Sequence, residues 1–109
     1  MYGYTMHIPA PPEVYRAIHQ AVVEVVGEDG GGDGLLVHLV HESDGGCDLI
    51  EVWESKKQFD DFNQTVFPKA VARSGVPMEG PQPQAVEFDP ITLVTTCAFT
   101  SDAPQVEAP

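Results

Sequence analysis

The chain has 109 residues, which is the length of one modest domain. Its hydrophobic share of 42 % and charged share of 20 % are ordinary for a folded protein, so the composition argues against a wholly disordered chain. Lys and Arg number 5 against 17 Asp and Glu, and the resulting net charge of −12 repels phosphate groups. We therefore expect neither nucleic acid nor a membrane as a partner.

The N-terminal segment predicts a strand followed by a helix. The stretch from Tyr2 to Ile8 is rich in aromatic and apolar residues, as strands are. Pro11 and Pro12 suit the start of a helix, where the first amides need no acceptor within the helix. We expect this helix to end at Gly27. Its apolar stripe has helical spacing and consists of Val14, Ala17, Ile18, Ala21, Val22 and Val25.

An acidic, glycine-rich loop over residues 28–34 leads into a predicted β-hairpin. Its strands cover residues 35–42 and 49–54, and we place the turn at Gly45 and Gly46, which sets His38 opposite Trp53. Both faces of the hairpin carry apolar side chains. Helices should therefore cover one face and a partner subunit the other, and the sequence leaves open which face is which.

A second helix and a last strand complete the chain. Ser55 and Gln58 have the spacing of a capping box, and the helix that they begin should be interrupted at Pro68 and end at Gly75. We predict a final strand over residues 85–100, interrupted near Asp89, and a disordered tail over residues 101–109.

The element order strand, helix, strand, strand, helix, strand predicts an α+β domain over residues 1–100. This is the ferredoxin-like βαββαβ arrangement, in which two helices cover one face of an antiparallel four-stranded sheet. The sequence contains no internal repeat.

The third strand and the second helix carry a recognisable pattern. An apolar strand ends in Val52, Trp53, Glu54 and Ser55, and Phe59, Phe62, Val66 and Pro68 follow. This pattern, between Ile50 and Gly75, resembles the dimeric α/β-barrel superfamily and its antibiotic-biosynthesis-monooxygenase-like branch.

The resemblance implies a dimeric α/β barrel, in which two ferredoxin-like subunits pack sheet against sheet. It also implies a pocket between the sheet and the helices, lined by Phe59 and Phe62 and by Trp53, His38 or His7. Haem-degrading members use a tryptophan and a histidine on the second helix, whereas the corresponding positions here are Phe62 and the neighbourhood of Val71. We therefore expect no cofactor.

The strongest candidate for chemistry is the trio of His38, Glu51 and Trp53 on one face of the hairpin. A carboxylate that orients an imidazole next to an aromatic wall could serve a general base that acts on an aromatic substrate. The alternative is that the three side chains are only a packed, hydrogen-bonded interface between subunits.

The other histidines are weaker candidates. His7 could reach the same pocket as a second base, or it could be a core histidine with satisfied hydrogen bonds. We expect His19 on the exposed side of the first helix. His38 and His41 lie three apart on a strand and point to opposite faces, so we predict no metal site.

Both cysteines are expected to be free thiols, with Cys47 exposed in the hairpin turn and Cys97 in the core of the last strand. A cytoplasmic location follows from the same reasoning, because the N-terminus shows no export signal.

The sequence thus favours a homodimer that binds a small aromatic ligand. It could be a cofactor-independent monooxygenase-like enzyme that acts on an aromatic or polyketide-like substrate, with His38 or His7 as the base and Glu51, Trp53, Phe59 and Phe62 around the ligand. The alternative is a non-catalytic ligand-binding or structural dimer. Pocket polarity separates the two, because an enzyme needs an ionisable group that faces a cavity.

Overall fold

A computed structural model describes residues 1–78, 80 and 82–94 of the chain. The elements are β1 (Tyr2–Ile8), α1 (Pro12–Asp29), β2 (Leu35–Ser43), β3 (Gly46–Trp53), α2 (Lys56–Thr65), α3 (Phe67–Ser74) and β4 (Ala85–Phe88). The predictions for residues 95–109, which include the core position of Cys97 and the disordered tail, lie outside the described residues.

The four strands form one antiparallel sheet in the order β2-β3-β1-β4. This order places the first and third strands in the centre, as in ferredoxin-like domains, and it confirms the predicted fold class. None of the helices among the described residues has the length and hydropathy needed to cross a lipid bilayer.

The hairpin register differs from the prediction by two residues. The turn lies at Asp44 and Gly45, whose φ angles of 47° and 75° are both positive, as in the two-residue turns that connect antiparallel strands tightly. Ser43 therefore pairs with Gly46, and His38 lies opposite Glu51 rather than Trp53. Because the shift is an even number of residues, the side chains from Val37 onwards keep their predicted faces. A bulge between Leu35 and Val37 pairs Leu35 with Trp53.

Helix α1 continues beyond its predicted end at Gly27 and is capped at Gly30. Its last turn is held by ion pairs with α3, because Arg73 forms two hydrogen bonds with Glu28, at 2.7 and 2.8 Å, and Lys69 lies 3.2 Å from Asp29. The Arg73 guanidinium also lowers the pKa of Glu28. These contacts favour two further helical residues over an early end.

The second helix follows its prediction. Ser55 accepts a hydrogen bond from the Gln58 amide at its N-terminus, which confirms the capping interaction. The helix is divided at Val66, and α3 begins with Phe67 and Pro68, so the proline restarts the helix as expected. Gly75 ends α3 in the left-handed conformation, with a φ of 71°.

The core consists of two clusters rather than one. The first lies on the sheet and contains Tyr2, Tyr4, Leu49 and Trp53. The second lies between the helices and contains Ala21, Val25, Val66 and Ala70. Because small residues join α1 closely to α3, α1 is held away from the sheet, and Phe62 packs against both clusters. This division leaves a space between α1 and the sheet.

The opposite face of the sheet is partly apolar and open. Leu39 is 53 % exposed and Val86 is 66 % exposed on this face, and the ring of Phe88 rests on Gly3. The last strand ends at Phe88, and residues 89–94 do not continue it. Pro90 in this segment has no amide hydrogen to donate to a neighbouring strand.

The prediction that Cys47 lies exposed in the turn is wrong. The residue lies in β3, where it is a buried free thiol. The earlier turn draws this residue into the sheet, next to Ile8 of β1. Its burial makes it a packing residue rather than a reactive one.

Gly46 allows the backbones of β1 and β3 to approach each other closely. A Cβ atom at Gly46 would collide with the backbone carbonyl oxygen of Ile8, whereas a Cβ atom at Gly27, within α1, would meet no atom within 4 Å. We expect Gly46→Ala to lower the free energy of unfolding by about 2 kcal/mol. We expect Gly27→Ala to raise it by about 0.5–1 kcal/mol, because alanine favours helices. Urea denaturation of both variants measures this difference, and equal stabilities would contradict the close approach.

Candidate functional site

A large cavity lies between α1 and the inner face of the sheet. Its volume is about 1000 Å³, and its walls are mostly apolar. Helix α1 contributes Val14, Ile18, Val22 and Val26, the sheet contributes Tyr4, Met6, Ile8, Leu49 and Trp53, and α2 contributes Phe59 and Phe62. Val14, Ile18 and Val22 belong to the predicted stripe of α1 but are only half-buried, because they face this cavity, and Ala17 is exposed.

Glu51 places a carboxylate in this apolar wall. The residue is 6 % exposed and is the buried charged residue of the described core. One of its oxygens accepts hydrogen bonds from the Tyr4 hydroxyl at 2.7 Å and from Trp53 Nε1 at 2.9 Å. Its other oxygen lies 2.6 Å from His38 Nδ1. Three donors around two oxygens satisfy an ionised carboxylate and fix its orientation.

The contact with Glu51 determines the tautomer of His38. Because an ionised carboxylate can only accept, His38 Nδ1 carries the hydrogen, and Nε2 of the neutral ring is the acceptor. The Tyr15 hydroxyl lies 2.6 Å from Nε2 and donates to it when the ring is neutral. Tyr15, His38 and Glu51 form a chain of short hydrogen bonds from α1 through β2 to β3. A base held by a buried carboxylate is an arrangement that can remove a proton from a bound molecule.

His19 extends this chain along α1. Its Nδ1 lies 3.4 Å from the Tyr15 hydroxyl, and the His19 and His38 ring planes are 14° apart with centroids 5.6 Å from each other. The Tyr15 ring is similarly oriented, at 19° to His38. The three rings form a polar edge on an otherwise apolar cavity.

Aromatic rings form the wall next to Glu51. Trp53 is fully buried, and its ring lies 5.9 Å from that of Phe59 and 5.4 Å from that of Phe62 between centroids. The Tyr4 ring lies 4.9 Å from Phe59. These tilted contacts are favourable packing geometries, and they hold the wall rigid.

The structure brings most of the sequence-predicted residues together. His38, Glu51, Trp53, Phe59 and Phe62 all line the cavity. The face of the hairpin that meets the helices, which the sequence left open, is therefore the face that carries His38 and Glu51.

His7 is not in this cavity, and the expectation that it reaches the same pocket is wrong. It lies on the open face of the sheet, where it is exposed and where its Nδ1 lies 2.7 Å from Asp48 Oδ1. This contact lowers the pKa of Asp48. The alternation of β1 explains the placement, because Tyr4, Met6 and Ile8 point to the cavity and the residues between them point away.

Sequence reasoning did not select Tyr15 and placed His19 on the exposed side of the helix, whereas both line the cavity. They lie four residues apart on α1, one position from Val14 and Ile18 of the apolar stripe. That polar pair at the border of the stripe is the signal that could have identified them. Tyr4 was taken only as a strand residue, and its bond to Glu51 depends on the pairing of β1 with β3.

Two buried tyrosines, Tyr2 and Tyr4, make the stability sensitive to high pH. Burial, and then the Glu51 charge, raise the pKa of Tyr4 above its usual value of 10.0. Burial, and then the hydrogen bond to Glu87, raise the pKa of Tyr2 to about 12. Above pH 10, the folded state therefore keeps both hydroxyls protonated, whereas the same hydroxyls ionise in the unfolded chain.

We expect this stabilisation to be complete below pH 10 and to be lost as the pH rises further, by up to about 1.4 kcal/mol per pH unit for each tyrosine. Urea denaturation at increasing pH measures the slope. In Tyr4→Phe the slope should fall by the contribution of Tyr4. An unchanged slope in that variant would contradict the assignment.

Among residues 1–78, 80 and 82–94, no group of three or more His, Cys, Asp or Glu side chains is placed to hold a metal ion. His38 and His41 point to opposite faces, as expected from their spacing.

Comparison with known proteins gives similarity in structure but not in sequence. No family model and no curated protein matches the chain. A candidate antibiotic biosynthesis monooxygenase from Caulobacter crescentus is similar in structure, with a TM-score of 0.59, 17 % identity and coverage of 84 % of this chain and 90 % of that chain.

Two proteins of Mycobacterium tuberculosis are also similar. Rv0793 has a TM-score of 0.55 and 15 % identity and covers 86 % of this chain and 98 % of its own. The haem degrader MhuD, solved with two haems in its active site, has a TM-score of 0.53 and 17 % identity and covers 87 % of this chain and 100 % of its own. The predicted resemblance is thus confirmed at the level of the fold: this chain has the ferredoxin-like fold of the antibiotic-biosynthesis-monooxygenase-like proteins.

Proposed function

We propose that this protein binds a small apolar molecule in the cavity beneath α1 and acts on it as a cofactor-independent, monooxygenase-like enzyme. The substrate class is an aromatic or polyketide-like compound. The observation that carries the proposal is the chain of Tyr15, His38 and Glu51 at the edge of an apolar cavity of about 1000 Å³. A cavity of this kind with a few convergent polar groups is the usual form of a small-molecule site.

His38 is the base in this proposal. When it takes a proton, the imidazolium that forms faces the Glu51 carboxylate at 2.6 Å, which stabilises the charge. An electron-rich substrate that has lost its proton can transfer an electron to dioxygen directly. The protein then has to bind the substrate, deprotonate it and shield it from water. The wall formed by Trp53, Phe59 and Phe62 serves the binding and the shielding.

In the described cavity, haem would find neither a ligand in His38 nor a cationic partner. Both nitrogens of His38 already have partners, Glu51 and Tyr15, so this ring offers no vacant ligand atom. No Lys or Arg is among the described residues that line the cavity, and the carboxylates of a haem would therefore lack a cationic partner there. Phe62 also stands where the resemblance would require the tryptophan of haem degraders.

A second candidate is a non-catalytic ligand-binding dimer. It is favoured by the completeness of the hydrogen bonds around Glu51, since the same bonds would stabilise a purely structural wall. The two candidates differ in whether His38 changes its protonation when a ligand binds.

The homodimer is part of the same proposal. Leu39 and Val86 are exposed apolar residues on the open face of the sheet, and a second copy packed sheet against sheet would cover them. Leu39→Glu should convert the dimer to a monomer in native mass spectrometry. A wild-type monomer would overturn this part. The cytoplasmic location stays a prediction.

The function is tested first by native mass spectrometry of protein purified from its own host, which reads the subunit count and any retained small molecule together. Oxygen uptake is then measured with a panel of polycyclic phenols. We expect His38→Gln to lower turnover by about 100-fold or more. His41→Gln is the matched control, because His41 lies on the open face, away from the cavity. Turnover by His38→Gln at the wild-type rate would exclude the base, and ligand binding without turnover would favour the second candidate.

A further inference from the structure

The Nε2 atom of His38 already has a hydrogen-bond partner. It accepts the Tyr15 hydroxyl at 2.6 Å, so a substrate hydroxyl cannot occupy that position while Tyr15 holds it. Tyr15 itself lines the cavity. His38 lines the same cavity, and the Tyr15 oxygen occupies the position from which a ligand would reach His38 Nε2.

We propose that Tyr15, rather than His38, is the catalytic residue that contacts the acidic hydroxyl of the substrate, and that it passes the proton on to His38. This inference rests on the proposed function, in which His38 is the final base. The transfer is balanced. The substrate O–H bond breaks and its proton binds to the Tyr15 oxygen, while the Tyr15 proton moves to His38 Nε2.

After the transfer Tyr15 is again a neutral phenol and donates a hydrogen bond to the substrate anion. The positive charge then lies on His38, opposite the Glu51 carboxylate. Tyr15 thus serves both as the carrier of the proton and as the donor that stabilises the anion.

Comparison with the other two tyrosines supports this role for Tyr15. The chain has 3 tyrosines, and the hydroxyls of Tyr2 and Tyr4 donate to the carboxylates of Glu87 and Glu51. A carboxylate next to a phenol opposes loss of the phenolic proton by its charge. The Tyr15 hydroxyl contacts the imidazole of His38, which in its neutral form can accept the proton.

The neighbours of Tyr15 hold it in place for this transfer. Its ring lies nearly parallel to those of His19 and His38, at 23° and 19°. The contact of its hydroxyl with His19 Nδ1, at 3.4 Å, is much longer than the contact with His38. We expect a substrate hydroxyl to approach the Tyr15 oxygen from the side of this longer contact.

The test uses 4-nitrophenol, whose anion absorbs at a longer wavelength than the neutral form, and 4-nitroanisole, which has the same ring but no acidic proton. Both are titrated into the wild-type protein at a pH below the pKa of free 4-nitrophenol. We expect both probes to bind, and bound 4-nitrophenol to be the anion.

In Tyr15→Phe we expect the ratio of bound anion to bound neutral probe to fall roughly tenfold or more, because the anion loses its charged hydrogen bond and its route to the base. His38→Gln should lower the ratio to a similar degree. Tyr2→Phe, which also removes one tyrosine hydroxyl but does not border the cavity, should match the wild type. Unchanged binding of 4-nitroanisole by each variant shows that the cavity is intact.

The outcomes separate the two proposals. If Tyr15→Phe keeps or raises the anion ratio while His38→Gln abolishes the anion, His38 contacts the substrate directly. This result would overturn the role of Tyr15 and leave the proposed function standing. If the wild-type protein binds 4-nitrophenol but leaves it neutral, the base itself is absent and the proposed function fails. If neither probe binds, the cavity is not a site for aromatic ligands.

Discussion

Replacing Glu51 with leucine is expected to lower the free energy of unfolding by about 3–5 kcal/mol. Leucine has a similar volume but accepts no hydrogen bond, so the buried Tyr4 hydroxyl and Trp53 Nε1 would both lose their partner. Each buried donor left without an acceptor costs about 1–3 kcal/mol. Chemical denaturation followed by circular dichroism measures the loss.

Glu42→Leu is the matched control, because Glu42 is an exposed residue of β2. Its stability should remain within about 0.5 kcal/mol of the wild type. A Glu51→Leu variant as stable as this control would show that the hydrogen bonds to Glu51 contribute no net stability.

Glu51→Gln separates stability from chemistry. The amide oxygen can still accept from Tyr4 and Trp53, and we expect a loss of no more than about 2 kcal/mol. The amide nitrogen, however, can only donate to His38 Nδ1, so the hydrogen of His38 moves to Nε2 and the ring no longer accepts from Tyr15. We expect the 4-nitrophenol anion to disappear in this folded variant. Its persistence would contradict the tautomer inferred for His38.

Replacing Trp53 with alanine is the second change with a large expected effect, a loss of about 3–5 kcal/mol. Trp53 is fully buried and packs against Phe59 and Phe62, so its removal enlarges the existing cavity and also removes a donor to Glu51. Because the vacated space opens into the existing cavity, few side chains are placed to move in and fill it.

Trp53→Phe is the graded comparison for this effect. It keeps an aromatic ring but loses the hydrogen bond to Glu51, and we expect a loss of about 1–3 kcal/mol. Equal losses in the two variants would mean that the hydrogen bond, and not the packing, carries the contribution of Trp53. Since Trp53 is the single tryptophan of the chain and lines the cavity, its fluorescence also reports ligand binding in the wild type.

The candidate site was predicted in its central residues but not in its geometry. His38, Glu51 and Trp53 share a face in any even register, so strand alternation was enough to group them. The direct pairing of His38 with Glu51 required the turn at Asp44 and Gly45, and two adjacent glycines made the later turn equally compatible with the sequence. Local turn preferences alone do not distinguish these registers.

His7 and His19 were misplaced for other reasons. An alternating strand gives two faces but does not state which face meets the helices, and His7 lies on the open face. An amphipathic helix gives a stripe but does not state how far the helix stands from the sheet. Helix α1 stands off because Ala21 and Val25 pack against Val66 and Ala70 of the helical segments that follow β3. That distance opens the cavity, and it brings His19 to the cavity edge although it lies outside the apolar stripe.

The sequence by itself determined the ferredoxin-like fold, the start of α2 at Ser55, its interruption at Pro68 and the face shared by His38, Glu51 and Trp53. These features depend on interactions between residues that are near in sequence, or on periodicity within one element. Only the tertiary structure decided that Tyr15 on α1 meets His38 on β2, and that Tyr4 on β1 meets Glu51 on β3. Such contacts join residues that are 23 and 47 positions apart, and they depend on how whole elements pack together, which no local pattern encodes.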